Sequence, residues 1–221
     1  KRIKCIVEDD YILLDNRFVR QYAIPGLYDT YIDVSNISSL GAAQTLRTIH
    51  PNDKICVLNF ASAKNPGGGF LNGAQAQEES LARSSTLYAS LSQAHCFYNT
   101  NNAANSPVYT HNIVYSENIT VFRDDSEDEI LLEYPYAVDF ITCAAVNRRI
   151  TQRMSSENVD NVMIERTRRL LAVAKKHNVE HLVLGAWGCG VFKNHPIFVI
   201  NMFLQQLQGD FKGIFKSVTF A

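Results

Sequence analysis

Ile55-Cys56-Val57-Leu58-Asn59-Phe60, then Asn65-Pro66-Gly67-Gly68-Gly69, then Gln77-Glu78-Glu79-Ser80 spell out a strand, a glycine loop and the start of a helix. The first run is short, apolar and bounded by turn residues, as a buried strand is, whereas Glu78 to Gln93 carries Leu81, Leu87 and Leu91 at helical spacing. Three glycines in a row lack Cβ atoms, so the loop can take positive φ and let a ligand approach the main chain closely. In an open α/β sheet, ligands bind beyond the carboxyl ends of the strands, where such loops meet helix N-termini with free N–H groups. Glu78 and Glu79 stand at that helix start. As ordinary first-turn acids they would contribute only a few tenths of a kcal/mol through the helix dipole, but beside a triple glycine they are candidates for chemistry.

Outward from this centre, Tyr31–Val34 alternates as a strand, and a helix from Leu40 to Ile49 follows the capping serines Ser38 and Ser39. Ile3–Val7 reads as a first strand or an extended lead, and Tyr11–Tyr28 shows no clean period. Downstream, the chain turns polar and rich in Asn from His95 to Asn105, with Asn99–Asn105 reading as a loop, and Ile113–Tyr115 and Ile119–Arg123 read as two short strands. Asp124–Glu129 is an acidic hairpin tip, and Ala137–Ala145 a buried strand ending in small residues. Arg148, Arg149 and Arg153 precede an amphipathic helix from about Met163 to His177 and read as solvated helix faces. Glu180–Leu184 is the next strand, Gly185–Gly190 a second glycine loop, and Pro196 opens the last helix before a closing strand at Ser217–Phe220. This alternation predicts an α/β fold, a mixed and mostly parallel sheet with helices on both faces, in one domain over residues 1–221. The start at Lys1 and the strand at the last residues suggest a domain trimmed at both ends.

The chain has 221 residues and a net charge of −1, so no basic surplus marks a general nucleic-acid binder. Its five cysteines, Cys5, Cys56, Cys96, Cys143 and Cys189, are scattered without Cys-x-x-Cys pairs or clustered histidines. They read as small hydrophobes in an intracellular, cytoplasmic or nuclear, setting, and no metal site or cofactor is expected. No run approaches a membrane span.

The segment Asn65–Gly69 with Gln77-Glu78-Glu79 resembles the signature of the microbial-type poly(ADP-ribose) glycohydrolases, which are built on a macrodomain. Gly185-Ala186-Trp187-Gly188-Cys189-Gly190-Val191-Phe192 is similar to the diphosphate-binding loop of that family and lies at the matching place in the chain. The resemblance implies a three-layer macrodomain-like fold that binds ADP-ribose or poly(ADP-ribose), including polymer carried on proteins. It puts Glu79 at the residue acting on the ribose–ribose O-glycosidic bond, Glu78 on a ribose hydroxyl, and Gln77 in support. Gly67, Gly68 and Gly69 are expected at the distal ribose and phosphate, and Val191 and Phe192 beside the distal ribose. The remaining ligand contacts fall to Gly185, Trp187, Gly188, Cys189 and Gly190, with Gly188 serving ligand approach more than stability. Where many macrodomains carry a ribose-contacting Asn, this chain has Ser62, and Asn65 is the residue placed to replace it. Phe97, Tyr98, Tyr115 and Phe220 are the candidate adenine stackers.

A poor alkoxide leaving group needs a positioned acid, which is the role Glu79 would fill before acting as base toward water. Adjacent side chains diverge, so Glu78 and Glu79 do not flank one bond as an ordinary glycosidase pair does. A Rossmann site is disfavoured because Gly-x-Gly-x-x-Gly is absent from the first loop and misspaced in the second. Two other functions stay open on these residues: hydrolysis of another ADP-ribose derivative, phosphorylated or cyclic, and a reader that binds without turnover.

Overall fold

A computed structural model describes residues 3–6, 15–126, 128–151 and 154–221. Among them, seven strands form one sheet: β1 Ile3–Ile6, β2 Tyr31–Val34, β3 Ile55–Phe60, β4 Ile113–Arg123, β5 Leu131–Cys143, β6 His181–Leu184 and β7 Ser217–Phe220. Their order is β1-β4-β5-β3-β6-β7-β2. β1, β4 and β5 pair antiparallel, and the run from β5 through β3, β6 and β7 to β2 is parallel. The helices are α1 Asp15–Tyr22, α2 Ser39–Ile49, α3 Gln77–Ser84, α4 Leu87–Leu91, α5 His95–Ala104, α6 Ser156–Lys176 and α7 Pro196–Gln208.

The continuous apolar run of β3 follows from burial on both faces, as parallel strands require. Cys56 and Leu58 join a core with α1, α6 and α7, while Ile55 and Val57 join a second core with α2, α3, α4 and α5. This is the three-layer, macrodomain-like architecture expected. Because β3 and β6 are neighbours and run parallel, the loops leaving Phe60 and Leu184 emerge side by side.

Several elements differ from the sequence reading. The Asn-rich segment is helical, not a loop: Phe97 and Tyr98 are buried, and the side chains of Thr100 and Asn101 are satisfied locally. Thr100 Oγ1 donates to Cys96 O at 2.7 Å and Asn101 Nδ2 to Phe97 O at 3.0 Å, while Asn101 Oδ1 accepts from Thr110 N. The helix expected from Glu78 to Gln93 breaks at Ser85, which bridges to Val121 of β4. β4 is one strand, not two; the interruption seen in its pattern is a register shift between Ser116 and Ile119, with Asn118 at φ 53°. α6 begins seven residues before Met163, capped by Ser155, whose hydroxyl accepts from Asn158 N at 3.2 Å. Arg148 pairs with Asp160 of α6 and is not a merely solvated residue, and Arg153 lies outside the described residues. Cys96 is disulfide-bonded, unlike the free Cys56, Cys143 and Cys189, so it departs from the reading of five reduced cysteines. No helix of the described residues is long and apolar enough to cross a membrane.

Candidate active site

The first loop is built to receive two carboxylates. Ser62 Oγ accepts from Lys64 N (3.3 Å) and Asn65 N (3.1 Å), and Gly68 N donates to Asn65 O at 3.0 Å. This tight winding puts Gly67 at φ 68° and Gly68 at φ 62°, two successive left-handed residues that only glycine takes cheaply. Glu79 Oε1 then accepts from Gly69 N at 2.9 Å, and Glu78 Oε2 from Ser62 N at 2.6 Å. A Cβ on Gly68 would collide with the Glu79 carboxylate and lie 3.3 Å from Glu78 Oε2. The glycines therefore seat the glutamates directly.

Two polar residues of the core complete this arrangement. Asn59, fully buried on β3, donates Nδ2 to Glu78 Oε1 and to Thr142 Oγ1, each at 3.2 Å, and leaves its Oδ1 without a partner. Burial pushes the Glu78 carboxyl up to about 8, against the pull of the Ser62 N–H and the Asn59 amide, with the neighbouring Glu79 charge adding to the rise. The Asn59 amide serves either state of Glu78: as drawn it donates to a carboxylate, and turned over it accepts from a carboxylic acid. Asn59 carried a usable signal, a lone amide in an otherwise apolar strand. Gln77 supports the site from below. Its Nε2 donates to Leu58 O at 2.7 Å and Ser39 Oγ at 3.1 Å, and its Oε1 accepts from Phe60 N at 2.9 Å, so it ties the start of α3 to the end of β3.

The second loop presents main chain. Trp187 is fully buried, donates Nε1 to Cys143 O at 3.0 Å and packs on Phe203, so it anchors the loop and its side chain does not reach a ligand. Asn194, which no sequence signal singled out, donates Nδ2 to Val146 O and Gly188 O at 2.8 and 3.1 Å. Gly188 sits at φ 72°, and a Cβ there would meet Ala145 Cβ at 2.5 Å and Asn194 Nδ2 at 2.7 Å. Its glycine is thus required by the fold itself, a correction to the expectation that it serves mainly ligand approach. Gly185 is likewise packed, with Phe60 and the Ala221 carbonyl at the place of a side chain, whereas nothing lies within 4 Å of a Cβ on Gly190. Among the described residues, the N–H groups of Gly188, Gly190, Val191 and Phe192 have no intramolecular acceptor. Free N–H groups clustered on a turn make an anion cradle.

The loops converge on one cavity of about 360 Å³, with Phe60, Ser62, Glu78 and Glu79 on one wall and Gly188, Gly190, Val191 and Phe192 on the other. Gln77 touches it as well. Asn65 is exposed and outside the lining, while Ser62 is in it. Gly67, Gly68, Gly69 and Cys189 are not among the cavity's lining residues, and the Cys189 thiol points to Trp187 O at 3.8 Å. An apolar cavity of about 490 Å³ adjoins, sharing Ala186 and lined by Val34, Ile197, Ile200 and Phe220. All four candidate stackers are buried in the core, and of them Phe220 alone borders this second cavity.

The same architecture occurs in solved enzymes. Over 99% of this chain and 78% of the other, it matches a poly(ADP-ribose) glycohydrolase from Thermomonospora curvata bound to the inhibitor ADP-HPD, at 40% identity and a TM-score of 0.89. The chain belongs to the microbial-type poly(ADP-ribose) glycohydrolase family. The family model for the microbial-type catalytic domain matches residues 19–124, the half that contains Glu78 and Glu79. A glutamate-to-alanine mutant of the Thermomonospora enzyme matches equally well. The poly(ADP-ribose) glycohydrolase of Deinococcus radiodurans in complex with ADP-ribose matches at 40% identity and a TM-score of 0.87, over the whole of this chain and 86% of that one. No curated protein sequence matches the chain.

Proposed function

We propose that this chain, as a single domain, hydrolyses the ribose–ribose O-glycosidic bonds of poly(ADP-ribose), on free polymer or on modified proteins, and releases ADP-ribose. The observation that carries this reading is the facing of two buried glutamates across one cavity from a loop with four unbonded N–H groups. The loop takes the diphosphate without lysine or arginine. The apolar cavity beside it takes the adenine against Phe220. The terminal ribose then reaches Glu78 and Glu79.

In this pose Glu79 donates its proton to the leaving ribose oxygen as the C1″–O bond breaks, and the positive charge develops on the distal ribose as an oxocarbenium ion. Water attacks C1″ and passes its proton to the Glu79 carboxylate, which restores the acid. Glu78 holds a hydroxyl of the distal ribose. A second reading, in which Glu78 supplies the proton, is favoured by its burial and its raised carboxyl. The test is release of ADP-ribose from automodified polymerase beside a panel of small ADP-ribose derivatives, with ADP-ribose binding followed by calorimetry. Binding without release overturns the hydrolase in favour of a reader, and release only from a small derivative overturns the polymer as substrate.

A further inference from the structure

A second cluster of chemical groups lies at the opposite end of the sheet. His50 closes α2, Asp53 lies in the turn before β3, and His181 is the first residue of β6, so the cluster stands roughly 20 Å from the glutamates, the length of a six-residue strand. His181 Nε2 is 3.0 Å and His50 Nδ1 3.8 Å from the same oxygen, Asp53 Oδ2. The two imidazoles lie face to face, centroids 4.2 Å apart and planes 22° apart, so neither bonds the other and both direct a nitrogen edge at the carboxylate. The three donor atoms all lie within 4.8 Å of one another.

We propose that His50, Asp53 and His181 form a binding site for a zinc-class divalent cation. A tetrahedral zinc ion with bonds of about 2.0–2.1 Å spaces its ligand atoms about 3.3 Å apart, and the two separations from Asp53 Oδ2 bracket that value. Two imidazoles with one carboxylate select a borderline transition metal over magnesium or calcium, which take oxygen ligands. The second nitrogen of His181 is already held: Nδ1 lies 2.7 Å from Ser217 Oγ. With its proton on Nδ1 and donated to Ser217, His181 offers the Nε2 lone pair to the metal, the outer-shell bond that orients metal-bound histidines.

The cation competes with Lys216, whose Nζ lies 2.9 Å from Asp53 Oδ2. Lys216 has a second partner in Glu180 Oε1 at 2.7 Å, so it can yield Asp53 without being left unpaired. A cavity of about 450 Å³, lined by Tyr31, Asp33, Thr45 and Lys216, adjoins His50 and His181 and gives room for a water at the fourth position. The same atoms place Ser217, His181 and Asp53 in line, but a nucleophilic serine is disfavoured: Ser217 is buried, and its N–H is spent on Glu180 O at 3.4 Å.

The test uses the tag-free, chelator-stripped chain. Calorimetry is expected to show one equivalent of zinc bound, with no heat from magnesium or calcium, and cobalt is expected to give the visible bands of a tetrahedral site. His50→Ala, at a partly exposed position, keeps the fold by thermal melt and weakens zinc by at least the roughly 10- to 100-fold that loss of an outer-shell partner costs. Lys216→Gln removes the competitor and tightens zinc several-fold. Absence of zinc binding up to about 1 mM, equivalent to about −4.1 kcal/mol, overturns the site. So does a His50→Ala chain that binds zinc as the wild type does, or a Lys216→Gln chain that binds it less well.

Discussion

The two glycine loops leave neighbouring strands and look alike in sequence, yet they use glycine for opposite purposes. In the first loop the side chain missing at Gly68 makes room for the protein's own carboxylates, and the loop N–H groups of Gly69 and Ser62 are consumed in holding them. In Gly185–Gly190 the N–H groups of Gly188 and Gly190 stay unbonded, while Gly185 and Gly188 are small because the fold crowds them. A glycine motif therefore does not say what the glycine admits. That depends on what already lies over the loop.

The largest effect that separates the loops is expected from Glu79→Gln, which cannot donate a proton: turnover on poly(ADP-ribose) falls by about 10² to 10⁴, while ADP-ribose affinity stays nearly constant. Wild-type turnover in this variant would remove Glu79 from the chemistry. Gly68→Ala displaces the Glu79 carboxylate, and a misplacement of about 1 Å can cost roughly 10² in rate. ADP-ribose binding should survive it, since the second loop is untouched. Weakening of both by the same factor would mean that the two loops act as one unit.

Glu78 gives the comparison a pH axis. Its carboxyl is raised from 4.5 to about 8 in the folded chain, so the native state holds the proton more tightly than the unfolded one. The resulting stability is full below pH 4.5 and is lost as pH rises through about 8. Urea melts between pH 5 and 9 should register a loss on the order of 4 kcal/mol, and Glu78→Gln should flatten that slope. An unchanged slope would place the titration elsewhere. The smallest effect is expected at Gly190→Ala, where open space and an ordinary φ leave the fold unaffected. Its methyl group enters the ligand cavity, so ADP-ribose should bind about tenfold more weakly, about 1.4 kcal/mol, with no change in melting temperature. A fall in melting temperature there would erase the contrast with Gly188.

Much of this was legible because the informative residues are contiguous. Strand β3, the first loop and the Glu78-Glu79 pair fall within 25 residues, from Ile55 to Glu79, and their order alone placed the site at the end of a parallel strand. What stayed hidden depends on contacts across the chain. Asn59 meets Glu78 and Thr142, and Asn194 reaches Val146, partners that no spacing rule predicts. For Trp187, motif text leaves open both a ligand contact and a core aromatic, since it does not separate a residue that touches ligand from one that anchors the loop beneath it, and the burial of the indole favours the anchor. The helix at His95–Ala104 was missed because asparagine favours turns when its amide is free, and here the amide of Asn101 is satisfied by Phe97 and Thr110.

The hydrogen bond from Ser62 to Glu78, 2.6 Å long, has a use outside catalysis. An amide proton held so close to a carboxyl oxygen resonates far downfield, and its shift moves when that carboxyl gains or loses a proton. In a ¹⁵N-labelled chain the Ser62 cross-peak would thus be an internal electrode inside the cleft, reading the charge on Glu78 through a titration or as ADP-ribose enters.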